Sequence, residues 1–298
     1  MRHKRKHRAA PIRTPASLSI CGKSGSREET KNDALQDVSK PGNCSKSGSR
    51  EETKNDAPQD VSKPGNCSKS GSREEEIEMM KMKYLGHACF LLDDGSFKVI
   101  VDPFLTGNPM AACSADEVEV DYIFVTHGHG DHLGDAVDIA RRTGATIVTT
   151  VDLAETLRDK GVKLVDGNIG GTIQFPFGSA RYFQAIHGSG APGTLSSGFV
   201  FDMGGKKIYH AGDTALMMDM QLLAYDELDA ALLPIGDFYT MGPADAARAA
   251  QMIKAKVTIP MHFSTFPHIT QDPYKFAESV QELGLKAEVL KVGEEIVL

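Results

Sequence analysis

The stretch FVTHGHGDHLGD, residues 124–135, places three histidines and two aspartates among three glycines. It follows the apolar run VDYIFVT, which reads as a buried strand, so the polar cluster opens where a strand ends. A loop anchored on a sheet holds side chains in place with little reorganisation. Imidazoles at His127 and His129, two residues apart, reach one ion if the chain bends at the glycine between them. Asp131 and His132, next in line, point elsewhere and serve a second ion. Gly128, Gly130 and Gly134 lack a Cβ, which lets the backbone turn tightly without blocking either ion. Mixed nitrogen and carboxylate donors favour a borderline ion such as zinc, and manganese, iron and nickel accept the same donors.

Two ions need more donors than one loop supplies. His187 ends the expected strand RYFQAIH, Asp213 follows a strand in YHAGDT, and His262 ends the strand VTIPMHF. Each closes an apolar run, and together with the first loop they complete two ligand sets.

Around these positions the chain alternates strand and helix patterns. KMKYLGHACFLL, the turn DDGS and FKVIVDPF read as a hairpin leading to a loop at Asp102. GDAVDIARRTGA and DLAETLRDKG have helical spacing on either side of the strand TIVTT. Strands follow in GTIQFPF, SARYFQAIH, and both arms of GFVFDMGGKKIYHAGD around a Gly-Gly turn. MMDMQLLAYDEL reads as a helix packed in the core, before the strand LDAALLPIG. GPADAARAAQMIKA and DPYKFAESVQELG read as helices, and AEVLKV and EEIVL as closing strands. This order fits an α/β fold with helices outside two sheets, and other α/β arrangements remain open at this level.

The 298 residues divide by composition. Residues 1–78 are poor in large apolar side chains and carry 16 Lys/Arg against 12 Asp/Glu; residues 79–298 carry 17 against 28. KSGSREETKNDALQDVSKPGNCS begins at Lys23, recurs at Lys46 with Pro58 in place of Leu35, and begins again at Lys69. Each 23-residue unit offers too little apolar surface for a stacked solenoid, so residues 1–78 are expected to be a disordered low-complexity tail. Met79, Met80 and Met82 stand just before the first patterned strand. The acidic body disfavours long nucleic acid, and no apolar run is long enough to span a bilayer, so neither nucleic acid nor membrane is an expected partner. Five cysteines (Cys21, Cys44, Cys67, Cys89 and Cys113) form no dense framework and fit a reducing cytoplasm. Cys89 and Cys113 read as small buried residues.

Residues 127–132, His-x-His-x-Asp-His, resemble the signature of the metallo-β-lactamase superfamily, and His187, Asp213 and His262 match its later ligands. YLGHACFLL, VDPFLTGNP, TMGP and IPMHFSTFP further resemble its uncharacterised metal-dependent hydrolase family, relatives of the ascorbate-6-phosphate lactonases. The resemblance covers residues 80–298 and implies a four-layer αββα sandwich. It implies His127, His129 and His187 on one ion, Asp131, His132 and His262 on the other, and Asp213 bridging. Histidine at position 129, where a glutamate would point to redox-active di-iron relatives, favours hydrolysis. The implied reaction is attack by a hydroxide held by both ions on a small ester, lactone or phosphodiester, with Asp131 orienting the nucleophile or carrying its proton. Alternatives are a phosphodiesterase acting on nucleotides or lipid head groups, a non-catalytic metal-binding protein, and oxygen chemistry at iron. Beyond the ligands, His87 is expected either to face the site or to sit in the core. Asp102 is expected to fix a ligand histidine's tautomer, and His210 to lie behind the site or in the core. Asp237, Tyr239 and Thr240 precede a helix whose N-terminus could attract an anion, Asp245 serves as a helix cap, and His268 reads as an exposed loop histidine, with substrate contact as the alternative.

Overall fold

The computed structural model describes residues 79–298; the expected repeat tail, residues 1–78, lies outside the described residues. Three strands, β1 (Lys81–Gly86), β2 (Cys89–Asp93) and β3 (Lys98–Val101), form an antiparallel meander. The arm expected from KMKYLGHACFLL is therefore two strands. Gly86 at φ 109° and His87 at φ 57° turn the chain between them, and a Cβ at Gly86 would stand 2.6 Å from the Met110 carbonyl oxygen.

Parallel strands β4 (Tyr122–Phe124), β5 (Thr146–Thr150) and β6 (Lys163–Gly167) extend this sheet. Between them run the short turn α1 (Gly130–Leu133) and helices α2 (Ala136–Thr143) and α3 (Val151–Leu157). Alternation sorts the side chains. Val99, Val101, Phe124 and Val148 face the second sheet, while Ile100, Ile123 and Ile147 pack with Ala136, Ile139 and Leu153 of α2 and α3. Strand β6 has no counterpart in the sequence reading. It is a sheet edge whose residues after Lys163 are all half-buried, so no apolar run marks it.

The second sheet contains β7 (Thr172–Phe175), β8 (Gly178–Gln184), β9 (Ser197–Met203), β10 (Lys206–His210), β11 (Ala230–Pro234) and β12 (Val257–Met261). It is antiparallel through β10 and parallel from β10 to β12. The sheets meet through aromatic rings: Phe124 lies edge-on to Phe199 at 5.0 Å and to Phe201 at 4.8 Å. Helices α4 (Pro243–Ile253) and α5 (Pro273–Glu282) cover the outer face of this sheet, and four buried alanines of α4 let it approach closely. The result is the αββα sandwich. Strand β13 (Glu295–Val297) returns to pair with β1.

Two further expectations are corrected. MMDMQLLAYDEL forms a 3₁₀ segment over Met218–Asp226 that buries only Met220 and Leu223. With Met217, these buried residues recur every third position, the period of a 3₁₀ helix rather than an α-helix. AEVLKV forms no strand; one bridge joins Ala287 to Thr258. Among the described residues no helix is long and apolar enough to cross a membrane.

The carboxyl ends of β3, β4, β10, β11 and β12 lie at one end of the sandwich, where α/β sheets present their ligand-binding loops. Backbone strain gathers there. Of eight described non-glycine residues with positive φ, Glu227 and Lys254 close helices. The other six are His87, Asp102, Asp237, Phe238, His262 and Ser264, all in loops at this end. Such conformations persist only where the surroundings enforce them.

Candidate metal centre

Three imidazoles converge at the mouth of β4. His127 Nε2 lies 2.9 Å from His129 Nδ1, and His187 Nε2 lies 3.3 Å from that same nitrogen. His187 stands in the loop three residues beyond the end of β8, not at the strand end expected for it. That loop packs on the first: Gly128 N–H donates to the Ser189 carbonyl at 2.8 Å. Gly190 comes so near that a Cβ there would meet His129 N at 2.4 Å.

A second group gathers beside it. Asp131 Oδ2 lies 3.2 Å from His87 Nε2 and 3.9 Å from His262 Nε2. The rings of His132 and His262 stack at 5.5 Å. Asp213, just after β10, faces both groups. Its Oδ2 is 3.1 Å from His262 Nε2 and 3.5 Å from His187 Nε2, and its Oδ1 is 3.3 Å from His132 Nε2. All seven residues singled out in the sequence thus stand together. His87 joins them, its ring 4.0 Å from that of His262, and its other nitrogen meets Thr265 Oγ1 at 2.9 Å.

The residues behind the cluster set the tautomers. Asp102 is fully buried, and its carboxylate accepts from Thr126 N, from the Thr126 hydroxyl at 2.7 Å and from His132 Nδ1 at 2.7 Å. His132 Nδ1 therefore carries a proton, and its Nε2 faces the cluster. Thr126 has one hydroxyl proton and gives it to Asp102. Toward His127 Nδ1, 3.0 Å away, it accepts, so the His127 Nε2 lone pair also points inward. Asp135, the second aspartate of the opening stretch, holds no site position. Its Oδ2 accepts from Leu105 N and Thr106 N and pins the loop after β3. His210 is structural, donating Nε2–H to the Ala88 carbonyl. Asp245 makes no cap and pairs with Arg248 on the surface.

The donors fit a cation by two criteria. His132 Nε2, His262 Nδ1 and Nε2, and Asp213 Oδ1 are buried without hydrogen-bond partners, though such groups are almost always satisfied. Moreover, ring nitrogens face ring nitrogens at contact distance, an arrangement a shared cation relieves. Two of the imidazoles are already neutral. Burial and the neighbouring His132 push His127 far below the ordinary imidazole range, and burial lowers His87 to about 4. Both are thereby kept neutral, the form that binds metal. Burial alone would lower His132 and raise Asp213. The Asp213 and Asp102 carboxylates instead hold His132 well up, while His132 and His262 hold Asp213 well down. The carboxylates are ionised.

The cluster floors a cavity of about 430 Å³. His129, Asp131, His187, Asp213 and His262 form one side; Tyr239, Phe266 and His268 form the other. Tyr239 and His268 were signalled by their loops. Phe266 and its neighbour Phe238 were not, because an aromatic ring in a loop belongs to no apolar period; the signal that could have found Phe266 is its position four residues beyond His262.

Comparison with known proteins agrees with the fold and the donor set. A β-lactamase superfamily domain model matches residues 94–263. A UPF0173 metal-dependent hydrolase of Symbiobacterium thermophilum is 50% identical over 220 residues, covering 72% of this chain and 98% of that protein. Another from Thermus thermophilus is 46% identical over the same shares. The solved structure of a metallo hydrolase from Ignicoccus hospitalis superposes with a TM-score of 0.70 at 33% identity, covering 74% of this chain and 98% of that one. With half its aligned residues identical to such a relative, and with its histidines and carboxylates gathered at one end of an αββα sandwich, the chain belongs to the UPF0173 metal-dependent hydrolases of the metallo-β-lactamase superfamily.

Proposed function

We propose that this hydrolase binds two divalent ions, zinc by donor type, and cleaves a small ester, lactone or phosphodiester. The observation that carries the reading is Asp213, whose two oxygens face His132 and His262 on one side and His187 on the other. His127, His129 and His187 would hold one ion, Asp131, His132 and His262 the other, with Asp213 shared. Ions so held supply Lewis acidity and bring water's ionisation near neutral pH.

The chain's own contribution is placement. Asp102 and Thr126 orient the rings of His132 and His127 toward the cluster before any ion arrives. Asp131 differs from Asp213 in exposure: its side chain is 28% exposed and opens on the cavity, while Asp213 is buried. Asp131 Oδ2 already contacts His87 Nε2, so its other oxygen is free to orient a water or hold its proton at the cavity floor. Hydrophobic and aromatic walls opposite limit water to that floor, which strengthens each charge interaction there.

The test is a panel of lactones, thioesters, carboxylic esters and phosphodiesters on metal-analysed full-length protein. His129→Ala and Asp213→Ala are expected to remove at least about 99% of turnover and to lower bound metal while leaving the fold intact by circular dichroism. Full activity in either variant would overturn the assignment.

A further inference from the structure

The wall opposite the metal donors is built of rings. Phe238 stacks on His268 with centroids 5.1 Å apart and planes within 19°, and meets Tyr239 edge-on at 4.7 Å. Phe266 reaches deeper, its ring 5.5 Å from that of His87. Phe238 and Tyr239 are 67% and 53% exposed. Aromatic carbon left in water forgoes the burial free energy that folding normally gains. Phe238 bears a second cost: it and Asp237 both adopt the left-handed region, φ 54° and 60°, where a bulky residue is an outlier. The loop is held in that shape by Asp237 N–H donating to the Met241 carbonyl at 3.0 Å. Strain and exposure coincide on one ring, and that ring stacks on His268, which lines the cavity.

Charge on this wall points the same way. None of the residues lining the cavity is lysine or arginine. A phosphate or carboxylate substituent recognised by protein ordinarily meets a guanidinium or ammonium group. Here it would meet the rings of Tyr239, Phe266 and His268. An uncharged flat group meets ring faces instead.

We propose that this ring wall recognises an uncharged aromatic or similarly flat apolar substituent, so that the substrate is a carboxylic ester or lactone carrying such a group and not a phosphorylated one. The inference rests on the hydrolase reading above. In the reaction, water's oxygen bonds to the carbonyl carbon and the acyl–oxygen bond breaks. One of water's protons ends on the departing alcohol oxygen, and the acid product releases the other to solvent.

Three acetate esters differing in one substituent test the inference with full-length, metal-loaded protein: benzyl acetate, methyl acetate and 2-acetoxyethyl phosphate. The expected kcat/KM for benzyl acetate exceeds both others by about tenfold or more. Phe238→Ala and His268→Ala each reduce the benzyl-to-methyl ratio about five- to tenfold. Tyr225→Ala, at an exposed aromatic that neither lines the cavity nor stacks on a ring that does, leaves the ratio unchanged. Equal rates for benzyl and methyl acetate, preference for the phosphate ester, or a ratio insensitive to Phe238 and His268 would each overturn the inference. Binding separates it from the hydrolase reading. Saturation-transfer NMR is expected to detect N-benzylacetamide but not N-methylacetamide, with the signal lost in Phe238→Ala. If no ester is cleaved yet N-benzylacetamide binds through Phe238, the ester reaction fails and the ring wall stands as an aromatic-recognition surface. If esters are cleaved and N-benzylacetamide does not bind, the ring wall fails alone.

Discussion

Asp102 shows how a buried residue that touches no substrate shapes the centre. It accepts three hydrogen bonds and orients His132, and its φ of 47° is a conformation asparagine tolerates well. Asp102→Asn is therefore a clean probe, keeping shape and backbone while replacing one acceptor with a donor. Oδ1 serves Thr126 N, while Oδ2 serves both the Thr126 hydroxyl and the His132 Nδ1 proton, so the new amide nitrogen must face one or other of these donor sets. The expected result is a fold unchanged by circular dichroism and about a 10- to 100-fold weaker metal affinity, read by competition with a chromophoric chelator. Asp229, at the opposite end of the sandwich, carries a different prediction. Its Oδ2 accepts from Lys207 N at 2.9 Å and its Oδ1 from Lys256 Nζ at 2.8 Å. Partial burial would raise its pKa, yet the Lys256 ammonium and the Lys207 amide outweigh it and the carboxyl lies below its usual value. A depressed folded-state pKa contributes stability above the unfolded value of about 4 and loses it as pH falls through the folded value. Asp229→Asn is expected to cost about 0.5 kcal/mol at pH 7, since Lys256 is well exposed. Urea unfolding at pH 7 and pH 3.5 should show that gap narrowing on acidification.

The loop between β4 and α2 explains which parts of the centre were legible in sequence. His127, His129, Asp131 and His132 crowd into six residues after an apolar strand, so local density announces them. Asp213 and His262 are legible because each follows buried strand residues, Ile208, Tyr209 and His210 of β10 and all five residues of β12. His187 stands in the cluster but not on a strand, because β8 ends at Gln184 and the chain then bends over the first loop. Register at such an end depends on the partner loop, which one segment's pattern does not contain. Strand β6, Phe238 and Phe266 escaped for the same reason: half-buried edges and loop aromatics have no period. Glycines in the metal loop divide the same way. Gly134, at φ 40°, lies where a Cβ would stand 2.4 Å from the Pro103 carbonyl oxygen, whereas a Cβ at Gly130 meets nothing within 4 Å. Gly134→Ala should cost about 2–4 kcal/mol by denaturant unfolding, and Gly130→Ala less than about 0.5 kcal/mol. Equal costs would mean that flexibility across the loop, not close approach at one point, is what its glycines provide.

At the scale of the molecule, 72% of this chain matches 98% of its Symbiobacterium relative, so the family's whole length corresponds to a body about the size of residues 79–298. The boundary is a physical one. Met80 is 1% exposed in the core between the sheets, and its carbonyl accepts from Leu298 N at 3.0 Å. One residue earlier, Met79 is 58% exposed. Two residues later, Met82 is buried and pairs with Leu92 on one side and Ile296 on the other, so β1 joins the meander to β13. A chain beginning at Met79 retains every one of these contacts; a chain beginning at Lys83 loses the buried side chains of Met80 and Met82 and the first two residues of β1. Deleting two buried methionines costs several kcal/mol by loss of apolar burial and cavity formation, a large share of a domain's net stability. The first truncation is therefore expected to unfold within about 2 °C of the full chain and to bind the same amount of metal. The second is expected to melt at least about 10 °C lower or to be recovered insoluble. Differential scanning calorimetry with metal analysis distinguishes them. A Met79 chain that melts far below the full-length protein would show that residues 1–78 contribute to the stability of the hydrolase body.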